Sequence, residues 1–292
     1  MMKRRSEDLD TEMVLSFHPN IVADKNILCA GRLPNDEDRA AISRAQAVIL
    51  PQGCREALYR MCRNHCPNIF PNYDARFDFP GKVGQARLFQ KVGAPFPHTY
   101  PFDTVSDYYK GFGEKGGTGP LGLPCIFKPD WGGEGEGVFQ VKTAEDLEQV
   151  LKKAQSNEQS GQKGFVLQTY VPSKNRSLRV VVIGDEFFSY WRVQEDPSQF
   201  VTSLNAGAVI DRDTDPYLQK AGRAEVKQFC MDTKIDLAGF DLLFPEDEPE
   251  TGPLFLEINY FFGRRGLGGS FEYYDLLEEG VRSWLNGLGL SL

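Results

Sequence analysis

The chain has 292 residues, 41% of them apolar and 25% charged, and a formal net charge of −8. That size admits one large domain or two to three smaller ones, and the acidic balance argues against a general nucleic-acid binder, which carries a basic face. No apolar run approaches the length of a membrane span, and the opening MMKRRSEDLD lacks the apolar core of a secretory signal, so a cytoplasmic protein is expected.

The first twenty residues are polar and read as loosely held. A short apolar run at 27–31 follows, then a helix in DEDRAAISRA leading into the apolar residues 47–51. CREALYRMCRNHC forms another helix before the loop-like NIFPNYDARFDFPG. Short strands alternating with helices predict a small α/β unit over residues 1–80. It has no glycine-rich dinucleotide fingerprint, so nothing there points to nicotinamide binding. The six cysteines are expected to be reduced. Cys54, Cys62 and Cys66 fall on one helical stripe. With His65 they are conceivable as a metal site, but the spacing matches neither a zinc-finger nor a ferredoxin pattern, and buried thiols are the better reading.

Residues 81–92 (GKVGQARLFQKV) place Leu88, Phe89 and Val92 on one helical face. An extended connector, GAPFPHTYPF, leads to a short helix at 105–109 and the glycine-rich GFGEKGGTGPLGL, expected to be a flexible loop. Residues 125–129 read as a strand carrying Lys128 near its end. It runs into DWGGEGEG and out through a strand at 138–141. Glycines permit positive φ and close backbone approach, so the N–H groups of such a loop can turn toward phosphate oxygens; an ordinary surface loop is the alternative. A helix at 144–154 and the polar SNEQSGQKG precede a buried-looking strand at 165–171.

Residues 178–193 form a hairpin turning at Gly184 and Asp185, with Arg179 and Arg192 among valines and aromatics. Such arginines are costly unless paired, which leaves anion binding or salt bridges to nearby acids. After a helix at 217–233 come two apolar runs, 238–244 and 254–260, joined by PEDEPETGP; they read as strands of a long hairpin. Glu257 and Asn259 then share one face, and the hairpin brings Asp241 beside them. An all-oxygen cluster without His or thiolate suits Mg²⁺ shared with a phosphate. Polar residues on the wet face of an amphipathic sheet are the alternative.

The order of these parts is specific: Gly81-Lys82 opening a helix, then FKPDWGGEGEGV, VLQTYV, LRVVVIGDEFFSYWR, AGFDLL and LEINYFFGRRGLGG. It resembles the ATP-grasp superfamily of carboxylate–amine ligases, in particular RimK-type glutamate ligases and bacterial glutathione synthetases. The resemblance covers residues 81–292 and implies an α/β (α+β) architecture, the ATP-grasp fold. Two α+β subdomains, about 81–170 and 171–292, would clasp ATP, with residues 1–80 as a small α/β substrate-side domain. It implies that Lys82 and Lys128 contact ATP phosphates under a flap at 132–137 that contains Gly132, Gly133 and Gly135. Gln168, Thr169, Tyr170 and Val171 match the hinge whose backbone meets the adenine edge, with Tyr170 and Leu256 as pocket walls. Arg179 and Arg192 match arginines facing the phosphates or the acyl donor and are grouped with Lys128 as catalytic. Asp241, Glu257 and Asn259 match the Mg²⁺ (or Mn²⁺) ligands.

Three departures bear on turnover and substrate. Thr169 stands where related ligases keep an acid. Val201 stands where an arginine is usual, with Asn205 as a partial substitute. After Asn259, Tyr260 to Arg265 replace a small Ser-Pro-Gly turn, which makes Arg264 and Arg265 candidates for an acidic substrate; a solvent salt bridge is the alternative.

The implied activity joins a small-molecule or peptide carboxylate to an amine through an acyl-phosphate, with ATP and Mg²⁺ as cofactors and ADP and phosphate as products. No nucleic-acid or membrane partner is implied, and a homo-oligomer is left open. Such chemistry needs positioning and charge neutralisation more than a side-chain nucleophile. Only His18, His65 and His98 exist, none near the motifs, which disfavours histidine general-base chemistry. The alternatives are a kinase of the same fold acting on a hydroxyl of a small polyanion, and an ATP-binding protein without turnover.

Overall fold

The computed structural model describes residues 13–29, 31–113, 119–133, 135–196 and 198–292. The expectations for residues 1–12 and for the centre of the loop at 111–123 lie outside them. The described residues fall into two compact units. One gathers the residues up to Asn72 with Ile183–Asp185 and Gly268–Leu292; the other comprises Tyr73–Val182 and Glu186–Leu267. No helix among the described residues is long and apolar enough to cross a membrane.

In the first unit, β1 (Val14–Ser16), β2 (Lys25–Asn26), β3 (Ala47–Ile49) and β4 (Ile69–Phe70) form a parallel sheet in the order β2-β1-β3-β4. Helices α1 (Asp36–Ile42) and α2 (Glu56–His65) carry the crossovers from β2 to β3 and from β3 to β4, whereas residues 17–24 join β1 to β2 without a helix. β1 lies inside the segment expected to be loosely held, yet all three of its residues are buried. So short a strand leaves no readable alternation; its pairing on both edges holds it. Asn35 closes a capping box with Asp38 at the start of α1. Cys54, Cys62 and Cys66 are buried free thiols, and burial pushes the Cys62 thiol up. Among the described residues, no three His, Cys, Asp or Glu side chains are grouped to hold a metal.

The second unit begins with α3 (Asp74–Asp78), one short helix inside the segment expected to be loop, followed by α4 (Gly81–Val92). Strands β5 (Thr99–Phe102), β6 (Cys125–Pro129), β7 (Phe139–Val141) and β8 (Phe165–Thr169) form an antiparallel sheet in the order β5-β8-β6-β7. Helices α5 (Val105–Phe112) and α6 (Ala144–Gln159) pack on it through Phe102, Phe127 and Phe165, whose ring centroids lie 5.0 and 5.1 Å apart in sequence along the stack. Both helices run past the expected ends. The last turn of α6 is polar, so apolar periodicity stops early there, but its Glu158 accepts the Val105 N–H at 2.7 Å and so caps α5.

The second sheet of this unit contains β9 (Arg176–Ile183), β10 (Glu186–Val193), β11 (Val209–Asp211), β12 (Leu237–Leu243) and β13 (Leu254–Asn259), in the order β11-β10-β9-β12-β13. Helix α7 (Pro216–Thr233) supplies Phe229, which with Phe89 and Phe255 forms an aromatic cluster, its closest pair 4.8 Å apart between centroids. Each buried phenylalanine contributes about 2–3 kcal/mol, which anchors the inner face of β13. The last helix, α8 (Ser270–Gly287), belongs to the first unit, where Trp284 packs 5.6 Å from Phe70.

Candidate functional site

The β12–β13 hairpin sets the site. Asp241 stands directly opposite Glu257, and Gly239 opposite Asn259. The register then slips: Leu242 pairs with Phe255, leaving Leu256 as the extra residue of a β-bulge. Strict alternation would turn Leu256 away from Glu257. The bulge lets both line the same cleft, while Phe255 and Ile258 remain buried. One apolar wall and one carboxylate are thereby presented from consecutive residues.

Asp241 is 4% exposed and fully engaged. Its Oδ1 accepts from Arg179 Nε at 2.6 Å and from the Arg192 guanidinium at 2.7 Å. Its Oδ2 accepts from Arg179 at 3.0 Å and from Asn259 Nδ2 at 3.1 Å. Those four contacts occupy the acceptor capacity of a carboxylate. Burial alone would raise its pKa, but the two guanidinium groups outweigh burial and hold the carboxyl below its usual range. The salt-bridge reading of the strand arginines is met: they pair with an acid, and they also line the cleft. The Arg192 Nε is buried without a hydrogen-bond partner among the described residues.

On the opposite wall, Lys128 donates to Gln168 Oε1 at 2.6 Å, and Gln168 Nε2 donates to Thr99 Oγ1 at 2.9 Å. This chain crosses β6, β8 and β5. Burial pulls the Lys128 ammonium down to about 8, against the opposing pull of Glu257 and Asp241 and with help from Lys82. The N-terminus of α4 is fixed by the first residue of the glycine loop: Asp130 Oδ1 accepts the Val83 N–H at 2.7 Å. A methyl group at Gly81, whose φ is +68°, would overlap that carboxylate, so only glycine fits. Lys82 donates to the Gly132 carbonyl at 3.1 Å and also lines the cleft. Gly135 approaches Val201 so closely that a Cβ there would stand 2.5 Å from Val Cγ1.

The donor set fits a hard divalent cation. The Glu257 side chain makes no hydrogen bond or salt bridge among the described residues and faces the cleft. Asn259 commits its amide nitrogen to Asp241, which leaves its oxygen toward the cleft. One carboxylate and one carboxamide, completed by water and phosphate oxygens, is the kind of set Mg²⁺ accepts. Asp241 adjoins them, but its oxygens are held by arginine.

The expected residues largely converge. Lys82, Lys128, Gly135, the hinge residues 168–171, Arg179, Arg192, Asn205, Asp241, Leu256, Glu257 and Asn259 all line one cleft. Gly132, Gly133, Arg264 and Arg265 are not among its lining residues. The Arg265 carbonyl instead accepts from Arg212 at 3.4 Å. Sequence reasoning missed Tyr190, which lines the cleft and sits two positions before Arg192 on the same strand, a period-two signal. It also missed Gln85, one helical turn beyond Lys82.

A family model for RimK-like ATP-grasp domains matches residues 107–269, more than half of the chain. A D-alanine–D-alanine ligase of Phocaeicola vulgatus is 26% identical over 198 residues, 53% of this chain. The match spans only 60% of that relative's length. A RimK domain ATP-grasp protein from Sphaerobacter thermophilus superposes with a TM-score of 0.61 at 13% identity, covering 91% of this chain and 97% of that one. N5-carboxyaminoimidazole ribonucleotide synthetase from Thermotoga maritima superposes at 0.58 with 17% identity, covering 96% of this chain and 69% of that one. An Aspergillus clavatus N5-carboxyaminoimidazole synthase, in complex with ADP and 5-aminoimidazole ribonucleotide, superposes at 0.52 with 15% identity, covering 78% of this chain and 56% of that one. These likenesses establish the ATP-grasp fold, and the chain belongs to the RimK-like ATP-grasp family.

Proposed function

We propose that the chain is a cytoplasmic ATP-dependent carboxylate–amine ligase whose two sheets in the second unit act as the subdomains that clasp ATP. The observation that carries this reading is the convergence of four cationic side chains, Lys82, Lys128, Arg179 and Arg192, around Glu257 and Asn259 in one cleft. The named activity of the Phocaeicola relative and the ADP-bound Aspergillus structure support it.

Adenine would lie between Tyr170, Val171 and Leu256, with the triphosphate running toward Lys128 and Lys82. Magnesium or manganese, when bound, would neutralise phosphate oxygens from Glu257 and Asn259. Asp241 reaches the same cation only by exchanging an arginine contact; as the protein stands, it orients Asn259 and both guanidinium groups. Arg192, whose Nε has no hydrogen-bond partner among the described residues, would face the position where negative charge gathers during transfer. A substrate carboxylate oxygen bonds to the γ-phosphorus as the β–γ bridge breaks and ADP departs. The amine nitrogen then bonds to the acyl carbon, the carbon–oxygen bond to phosphate breaks, and the amine proton leaves with phosphate or to water. Chemistry of this kind needs positioning and charge neutralisation, which these side chains would supply. Gly135, seated on Val201, would exclude water during transfer.

The test is magnesium-dependent release of ADP and free phosphate across a panel of amino acids, dicarboxylates and short peptides. Equal release of both, with one acid–amine pair, is the expected result. ADP with a stable phosphoester and no free phosphate would replace the ligase by a kinase. Tight nucleotide binding with no release across the panel would replace it by a binding protein.

A further inference from the structure

β13 is an outer strand of its sheet, so among the described residues its outward N–H and C=O groups have no neighbouring strand to pair with. At Ile258, between Glu257 and Asn259, that edge is closed by a side chain. Gln85 Nε2 donates to the Ile258 carbonyl at 2.8 Å, and Gln85 Oε1 accepts the Ile258 N–H at 2.9 Å. One carboxamide thus supplies both halves of a ladder rung. In an antiparallel pair, backbone groups alternate between facing the partner strand and facing away. Glu257 and Asn259 therefore point their main chain at β12, while Ile258 points its own at Gln85. The three consecutive residues are gripped from both edges, and the two cleft-facing side chains flank the gripped one.

We infer that Gln85 is a positioning residue, which fixes the backbone of β13 so that Glu257 and Asn259 present their oxygens together to a divalent cation and its nucleotide. This rests on the nucleotide-binding reading above. Lys82 lies one turn earlier on the same helix, so the same contact also sets the distance from that ammonium to Glu257. Only a carboxamide of this reach serves. A glutamate would keep the acceptor and oppose its second oxygen to the Ile258 carbonyl. A methionine has the shape without either bond and leaves both Ile258 groups without a partner.

The experiment compares the full-length wild type with Gln85→Met and Gln85→Glu. Calorimetry measures the affinity for a non-hydrolysable ATP analogue with and without Mg²⁺, and hydrogen exchange follows the peptide that contains Ile258. In Gln85→Met the expected results are faster exchange there, unchanged metal-free affinity, and a loss of about tenfold in the tightening that Mg²⁺ produces, equivalent to one well-placed interaction. Gln85→Glu should lose part of that tightening. Tightening retained within about threefold overturns the inference. So does an equal fall of metal-free and metal-bound affinity, or failure of both variants to fold, since either makes Gln85 a structural residue only. A wild type that binds nucleotide without any response to Mg²⁺ would instead remove the cation reading on which the inference stands, and needs no variant to reveal it.

Discussion

Lys128→Met separates stability from function at this site. Lys128 is 9% exposed, and burial lowers its ammonium from an ordinary 10.5 to about 8. Holding the charge at pH 7 therefore costs the protein about 3 kcal/mol, at roughly 1.4 kcal/mol per pH unit. Methionine removes that cost and also removes the hydrogen bond to Gln168 Oε1, leaving a buried acceptor at about 1–3 kcal/mol. The variant should be between unchanged and about 2 kcal/mol more stable at pH 7. The sign with pH is fixed by linkage: the folded pKa is depressed, so the penalty is complete below about 8 and fades as pH rises toward 10.5. At pH 9.5 only about 1 kcal/mol of it remains, and the advantage of the variant should shrink by about 2 kcal/mol. Urea unfolding at the two pH values measures this. Nucleotide affinity should fall by about tenfold or more through loss of a charge-assisted bond to phosphate. A stability difference independent of pH would refute the electrostatic account, and unchanged nucleotide affinity would take Lys128 out of the phosphate site.

Three further substitutions report on the other parts. Glu257→Gln should leave the unfolding free energy within about 0.5 kcal/mol, because the Glu257 side chain has no hydrogen bond or salt bridge among the described residues, while calorimetry shows the response to Mg²⁺ lost. Asp241→Asn strips two buried guanidinium groups of their counter-charge and should cost about 3–5 kcal/mol in urea unfolding. The wild-type carboxyl is held below its ordinary 3.8, so its contribution is complete above that value and is lost as pH falls through the lower folded pKa; the variant should lack that acid-induced loss. Gly266→Ala places a methyl group into the Tyr190 ring and should cost about 1–3 kcal/mol, read as a lowered Tm; full stability would mean that the ring moves freely.

Much of the site is written in local pattern. Glu257 and Asn259 share a face because strand side chains alternate, and the charged segment between two apolar runs marks the hairpin that brings Asp241 opposite Glu257. What escaped the sequence depends on non-local geometry. The bulge at Leu256 is a one-residue slip between two strands, and nothing in LFLEIN announces where pairing will shift. β1 is three residues long, too short for periodicity. Gln85 looks like any polar residue on an amphipathic helix until β13 is placed beside it. Arg264 and Arg265 are candidates for an acidic substrate because they stand where a small turn is expected after Asn259; Gly263 beside them lines the cleft, and they do not.

The acidic chain and its cationic cleft are compatible because the two act over different distances. The net charge of −8 repels polyanions such as nucleic acid across the whole surface, but that repulsion is screened beyond about 8 Å at physiological ionic strength. Inside the cleft, among the described residues, Lys82, Lys128, Arg179 and Arg192 are met by Asp241 and Glu257, an excess of two positive charges in the described lining. Low-dielectric walls strengthen that local field. Asp241 makes the excess sustainable: without it, two guanidinium groups would be buried without a counter-charge between valine-rich strands, and with it they keep one net positive charge, the pair of them less the carboxylate, beside an Arg192 Nε that has no partner among the described residues. The clamp thus stabilises the empty protein while leaving the cleft short of negative charge, the deficit that a triphosphate and a substrate carboxylate would fill.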